Sequence, residues 1–309
     1  MFVVCGEALM DVFAEGDTPT GTALDARVGG SPFNMAVGLA RLGQPVSFFG
    51  AVSRGFLGER LLRALQEEGV STATTVRVDH PTTLGLVGTD AQGVPSYSFY
   101  GVGAADRQLV PADLAVLPRE MQALHLGSYT TVTEPVASTL RTLVEREHTR
   151  TLISCDPNIR LNVEPDLARW RGMMAWVLPL AHLLKISEED LSLLWPEKSP
   201  QQFAQEALAQ GVKLVVVTRG GDGAQAWNAA ATAHVPAIAV EVIDTVGAGD
   251  SFQSALLSRL ASHGHLSTEM LGRLSQPQLV DALEYAVRAA AITCSRRGAN
   301  PPRASELPG

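Results

Sequence analysis

Between residues 123 and 218 the chain alternates short apolar runs with longer segments of helical periodicity, and no other feature restricts its fold as strongly. Apolar runs at 123–126, 151–155, 183–186 and 214–218 are separated by helical stretches at 135–148, around 170–176, at 188–195 and at 200–210. Strand–helix–strand repetition of this kind predicts a parallel sheet with helices on both faces. Two stretches depart from that rhythm. Residues 11–28 and 83–106 lack helical periodicity, and Tyr97, Phe99 and Tyr100, with turn residues Gly93 and Pro95, predict short antiparallel strands. They read as one excursion from the main sheet, a small strand-built lid over its carboxyl edge; two ordinary surface hairpins are the alternative. No repeat, low-complexity tract or long linker divides the chain, so residues 1–309 are expected to form a single domain with the lid strands inserted.

Composition narrows the partners. Hydrophobic residues are 46% and charged residues 18% of the chain, which excludes a disordered polyelectrolyte. Lys plus Arg number 24 against 32 Asp plus Glu, a net charge of −8 that argues against nucleic acid or an anionic membrane and for a small molecule or a protein. Cys5, Cys155 and Cys294 are far apart and outside any CxxC spacing, so a reducing compartment fits best. The opening MFVVCGEALMD lacks a basic n-region and reads as a first strand, and no apolar run is long enough to span a bilayer; a cytoplasmic protein is expected.

Three glycine-rich segments carry chemistry. In Asp244-Thr-Val-Gly-Ala-Gly-Asp-Ser-Phe a Gly-Ala-Gly turn opens an apolar helical pattern. Amides at a helix start have no intrahelical acceptor, and small residues let an anion approach them. Asp250 in that first turn is placed to take a proton from an alcohol attacking a phosphoryl group held alongside. A plain N-cap with a tight turn is the other reading. Gly29-Gly-Ser-Pro-Phe-Asn34 opens a second helix, with Ser31 as cap, Pro32 at the first helical position and Asn34 able both to donate to and accept from hydroxyls. Gly29 and Gly30 permit close approach of a ligand, or simply form a structural turn. Thr218-Arg-Gly-Gly-Asp-Gly223 imitates a dinucleotide fingerprint, but the residues after it predict hairpin strands rather than the helix that fingerprint requires. No GxxxxGK[ST], HExxH or GxSxG occurs, which leaves a P-loop, a zincin site and a nucleophile elbow without support.

The GGSPFNMAVGLARLG and DTVGAGDSF segments, in this order and about 200 residues apart, resemble the two signatures of the PfkB, or ribokinase-like, carbohydrate kinase family. GEALMD, DPNIR, KISEED, TRGGDG and RRGAN also fall where that family has counterparts. The resemblance implies an α/β fold, a ribokinase-like three-layer sandwich with a central mostly parallel sheet and a small β-sheet lid. It also implies transfer of the ATP γ-phosphoryl group to a sugar hydroxyl. Carried over by motif, Asp250 is the base, with the amides of Gly247, Ala248 and Gly249 as the anion hole; Asp11, Gly29, Gly30, Asn34 and Asn158 face the sugar, and Arg160 clamps the γ-phosphate. Thr218, Gly220 and Gly223 match the ATP loop.

Magnesium is expected with ATP. The family's N-x-x-E motif appears here as Ser187-x-x-Asp190, or shifts to Glu188 and Glu189, so these acids are the metal-side candidates. Asp244, with carbonyls near Ser295 and Gly298, is the candidate site for a monovalent cation such as K+. Ser53-Arg-Gly55 departs from the family's usual Gly-x-Asp. Adenine is expected near residues 290–300. A lid face exposing Phe99 and Tyr100 would pack on a second copy in a homodimer, as lids of similar kinases often do; a monomer with a self-covered lid is the alternative.

GEALMD, FYGVGAAD and DPNIR resemble bacterial fructokinases, which implies fructose as acceptor. A 2-keto-3-deoxygluconate kinase usually carries Arg after the lid tyrosine, whereas Gly101 follows Tyr100 here; Arg107 or Arg160 are the cations that would compensate. A non-catalytic sugar sensor is a further alternative, opposed by the intact Asp250 and Gly247-Ala248-Gly249.

Overall fold

The computed structural model describes residues 1–89 and 95–308. Its strands are β1 (Phe2–Cys5), β2 (Leu9–Thr18), β3 (Gly21–Gly29), β4 (Val46–Phe49), β5 (Ala51–Ser53), β6 (Val76–Val78), β7 (Leu84–Thr89), β8 (Pro95–Tyr100), β9 (Ala123–Gly127), β10 (Leu152–Asp156), β11 (Leu183–Ser187), β12 (Leu214–Thr218), β13 (Ala224–Asn228) and β14 (Thr232–Val235). The helices are α1 (Ser31–Arg41), α2 (Phe56–Glu67), α3 (Val136–Glu147), α4 (Leu167–Val177), α5 (Glu188–Leu194), α6 (Pro200–Gln210), α7 (Ala248–Ser262), α8 (Thr268–Leu271) and α9 (Gln276–Cys294).

The central sheet runs β14-β13-β12-β11-β10-β9-β1-β4, parallel from β12 to β4 and closed at the other end by the antiparallel β13 and β14. Alternation along β1 shows how it is covered. Phe2 and Val4 join a core with Leu39 of α1, Leu256 of α7 and Leu283 of α9, while Val3 and Cys5 join one with Leu140 of α3, Trp170 of α4 and Phe203 of α6. The result is three layers, helices over both faces of a mostly parallel sheet, as the alternation predicts. β1 has β4 on one side and β9 on the other, so the chain reverses direction across the sheet there; ligands of such sheets bind beyond the carboxyl ends of the strands near that reversal.

A four-stranded sheet, β3-β2-β7-β8, stands apart from the central one. Antiparallel strands are the sequence expectation, and β2–β3 and β7–β8 are antiparallel, but β2 pairs with β7 in parallel. Register brings Arg27, Asp11, Gly85 and Phe99 into one cross-strand row, and residues directly opposed share a face. On the other face Met10, Val12 and Val28 join the core beneath, while Leu24 and Tyr100 are exposed farther out. Phe99 and Tyr100 therefore lie on opposite faces and cannot form one shared exposed patch. Gly93, expected in the turn here, lies outside the described residues. Among the described residues, no helix is long and apolar enough to cross a membrane.

Candidate active site

Asp250 stands in the first turn of α7, where Gly247 caps the helix with φ 76°. A Cβ on Gly247 would lie 2.6 Å from that of Ala299, so backbone geometry and space both demand glycine. Asp250 is buried and accepts from Ser31 Oγ at 2.6 Å and from Asn34 Nδ2 at 2.9 Å. Those donors sit in the first turn of α1, which Pro32 helps to start. The two helices approach closely because Gly38 has no side chain: a Cβ there would fall 2.3 Å from Ser254 Oγ of α7. Burial raises the Asp250 pKa and the negative charge of Asp156 adds to this, against the Ser31 and Asn34 bonds and the charge of Lys185.

Ala248 departs from the expected anion hole, because its amide donates to Thr245 O at 3.2 Å. The amides of Gly249 and Asp250 follow it in the same first turn, where helix geometry supplies no acceptor. A Cβ on Gly249 would lie 3.3 Å from Lys185 Nζ, which places a buried ammonium beside this turn. Lys185 Nζ donates to Asp156 Oδ2 at 2.6 Å, and Asp156 Oδ1 is buried without a hydrogen-bond partner among the described residues. Both residues open segments with family counterparts, DPNIR and KISEED, but neither is among the site residues the sequence points to. Behind them Gln253, one turn beyond Asp250, donates to Ser154 Oγ at 2.8 Å; this hydroxyl also meets His125 Nδ1 at 3.0 Å, and together they tie α7 to β10 and β9.

A cavity of about 1000 Å³ opens beside this turn, lined by Lys185, Ala248 and Gly249. Thr218, Gly220 and Gly223, the expected nucleotide loop, line it. Gly223 has φ 88°, and its missing Cβ would fall 2.0 Å from Val235 O. The loop leads into β13 rather than a helix, which removes the dinucleotide reading. Ala290, Ala291 and Cys294 of α9 line the cavity within the expected adenine region. Val240 and Val242 line it too, from a segment with no helix or strand that carries no sequence signal.

Glu188, Glu189 and Asp190 also line the cavity but differ in setting. Glu188 pairs with Arg219 at 3.1 Å and Glu189 is exposed. Asp190 is buried, its pKa raised to about 6 by burial and by Asp156, and its amide donates to the capping Ser187 Oγ at 3.0 Å. No three acidic, imidazole or thiol groups converge as a ready metal cage among the described residues. At the candidate monovalent site, Asp244 accepts from the amides of Val246 at 3.0 Å and Gly298 at 2.8 Å, while Ser295 Oγ turns away to donate to Ile292 O at 2.8 Å.

The small sheet supplies the remaining side. Burial raises the Asp11 pKa to about 6; Arg160 opposes that shift and Asp250 adds to it. The glycine pair does more than admit a ligand. A Cβ on Gly29 would meet Asp11 Oδ2 at 2.3 Å, and one on Gly30, φ 107°, would meet Glu7 O at 2.8 Å. Arg160 is exposed, with Nη1 donating to Ile159 O at 2.9 Å, and its charge acts on Asp11, Glu7 and Asp190 alike. Asn158 adopts φ 41° and lines the large cavity.

Two further acids lie beneath. Glu7 is buried and its pKa is raised to about 7, chiefly by burial. Asp106 accepts from Thr83 Oγ1 and from Tyr129 Oη, the latter at 2.8 Å.

The family model described as pfkB family carbohydrate kinase matches residues 1–306. A fructokinase of Rhizobium leguminosarum bv. trifolii is 32% identical over 279 residues, 90% of this chain and 85% of that protein. The crystal structure of a fructokinase with bound ATP from Xylella fastidiosa is similar with a TM-score of 0.84 and 26% identity, covering 99% of this chain and 94% of that one. A Vibrio cholerae O395 fructokinase in its fructose, ADP and calcium ion bound form is similar with a TM-score of 0.80 and 28% identity, covering 96% and 94%.

Proposed function

Because the chain belongs to the pfkB family of carbohydrate kinases, we propose that it transfers the ATP γ-phosphoryl group to fructose, giving fructose 6-phosphate. One observation carries the reading: the Asp250 carboxylate is held by α1 on the acceptor side, and its own helix turn opens toward the 1000 Å³ cavity. The base therefore stands where a hydroxyl from one side meets a phosphate from the other. The fructose-bound and ATP-bound relatives support the two ligands.

In the reaction the sugar O–H proton passes to Asp250 as the oxygen forms its bond to the γ-phosphorus, and the bond from that phosphorus to the β-bridging oxygen breaks to leave ADP. Charge on the transferring group is met by the Gly249 and Asp250 amides, by Lys185 beneath them, and by Arg160. Adenine and ribose occupy the half of the cavity lined by Val240, Val242 and Cys294, with Thr218, Gly220 and Gly223 along the phosphates. Asp190 and the unpartnered oxygen of Asp156 are hard carboxylate donors that suit Mg2+, an ion bound through few protein ligands when it arrives with a nucleotide. Bound there, it supplies charge neutralisation at the β- and γ-phosphates. A monovalent ion such as K+ fits the Asp244 turn only if carbonyls complete the donor set, since two amides already bond its carboxylate.

The small sheet acts as a lid that brings Asp11 to the sugar. The reaction belongs in the cytoplasm, where ATP is held and where the free, buried Cys5 and Cys155 stay reduced. A second copy of the chain is the partner proposed for the lid, at exposed Leu24 and Tyr100. A coupled ADP assay across fructose, pentoses, nucleosides and 2-keto-3-deoxygluconate tests the assignment. Fructose is expected to give the highest kcat/KM; a clear advantage for the keto acid overturns fructose, and no sugar-dependent ADP overturns the kinase reading.

A further inference from the structure

Gly29 and Gly85 lie on the face of the small sheet that carries Asp11, Gly101 directly follows β8, and each leaves room for a charged group. A Cβ on Gly29 would lie 2.3 Å from Asp11 Oδ2, one on Gly85 3.0 Å from Asp11 Oδ1, and one on Gly101 3.0 Å from Arg107 Nη2. The Phe99 ring stands between the two hollows, 3.8 Å from the Gly85 position and 2.9 Å from the Gly101 position. This face thus presents a carboxylate and a guanidinium on either side of one aromatic ring.

Arg107 is not consumed by the fold. Asp106, its neighbour, has both oxygens engaged, by Thr83 and by Tyr129. Among the described residues no carboxylate lies within ion-pair distance of Arg107, and its Nε is buried without a hydrogen-bond partner. Its guanidinium carbon lies 5.7 Å from the centre of the Tyr129 ring, which fixes the plane of the fork. A half-buried donor-only group beside an acceptor-only one suits a polyhydroxylated ligand, whose hydroxyls both donate and accept.

We propose that Arg107 is a specificity-determining residue of the sugar site, donating to an oxygen of the ketose from the space that a side chain at position 101 would otherwise fill. This rests on the sugar-kinase reading. It also explains Gly101: a larger residue there would collide with the guanidinium.

Initial rates with fructose and ATP varied independently test this in the wild type, Arg107→Met, Arg107→Lys and the double variant Gly101→Arg/Arg107→Met. Arg107→Met is expected to raise the KM for fructose about tenfold, the loss of one charge-assisted hydrogen bond, with the KM for ATP unchanged. Arg107→Lys, which keeps the charge without the fork, falls between, and the double variant regains sugar affinity by returning a guanidinium to the same space. A fructose KM for Arg107→Met within about twofold of wild type overturns the proposal, as does an equal rise in both KM values with a lowered Tm, the pattern of a merely structural residue. If the wild type instead prefers 2-keto-3-deoxygluconate, the same variants are read with that acid. A matching loss then upholds Arg107 while the fructose assignment falls, and no loss overturns Arg107.

Discussion

Lys185 Nζ lies 2.6 Å from Asp156 Oδ2, and both side chains are almost wholly buried on adjacent strands, Asp156 at the carboxyl end of β10 and Lys185 midway along β11. Removing one member leaves the other charged and unpaired in the interior, whereas removing both does not. Lys185→Met is therefore expected to lower stability by about 3–5 kcal/mol, with Lys185→Met/Asp156→Asn regaining much of it in urea unfolding. Both variants should remain poor in kcat, because the ammonium beside Gly249 is absent in each. Near-normal turnover in the double variant would remove Lys185 from the reaction.

Asp250→Ala is expected to lower kcat by roughly 10²- to 10⁴-fold, the range of general-base contributions, while calorimetry shows sugar still binding. Turnover close to wild type would take Asp250 out of the base role.

The acid limb of the pH profile follows from the burial of Asp250, which raises its pKa against the bonds from Ser31 and Asn34. Only the ionised form accepts a proton, so kcat should fall as pH drops through the raised value. The Asn34→Ala variant removes a donor that favours the charged form, and its acid limb should move to higher pH. A limb that stays in place contradicts this coupling.

Glu7 links stability to pH. Its folded pKa of about 7 exceeds the ordinary 4.5, so between those values the folded chain holds more protons than the unfolded one, and stability declines as pH rises through that window. The penalty at pH 8 is about 3 kcal/mol at 1.36 kcal/mol per pKa unit. Glu7→Gln should consequently raise Tm more at pH 8 than at pH 4.5, and thermal melts at both values read the difference.

Two glycines of one loop give a contrast. Gly223 combines φ 88° with a Cβ position 2.0 Å from Val235 O, whereas a Cβ on Gly221 meets nothing within 4 Å. Gly223→Ala is expected to destabilise by at least about 1 kcal/mol and to raise the KM for ATP more than that for sugar. Gly221→Ala should stay within about 0.5 kcal/mol of wild type.

Local signals placed many elements well. The capping box of Ser199 and Gln202 with Pro200 at the first position marks α6, and the continuous apolar run of β12 needs no partner to be recognised. The first helical turns that carry Ser31 and Asp250 are equally legible. Their meeting is not, since it joins residues 219 apart and depends on Gly38 letting two helices approach. The parallel pairing of β2 with β7 escaped for a similar reason: hairpin turns announce antiparallel neighbours, while no turn connects these two strands. Lys185 was hidden because strand periodicity registers its apolar neighbours, and only the finished sheet shows the Asp156 carboxylate beside it. A shared exposed face for Phe99 and Tyr100 fails because consecutive strand residues point to opposite sides, as the register on β7 shows.

The parallel union of β2 and β7 also sets an order of assembly. Asp11 meets Gly85 only after the intervening chain has folded back on itself, and such nonlocal closure is slow compared with forming a hairpin. During synthesis the small sheet is therefore completed late relative to β2 and β3, and a ribosome-bound fragment ending before residue 84 has Asp11 in place on a ribbon that lacks half its strands.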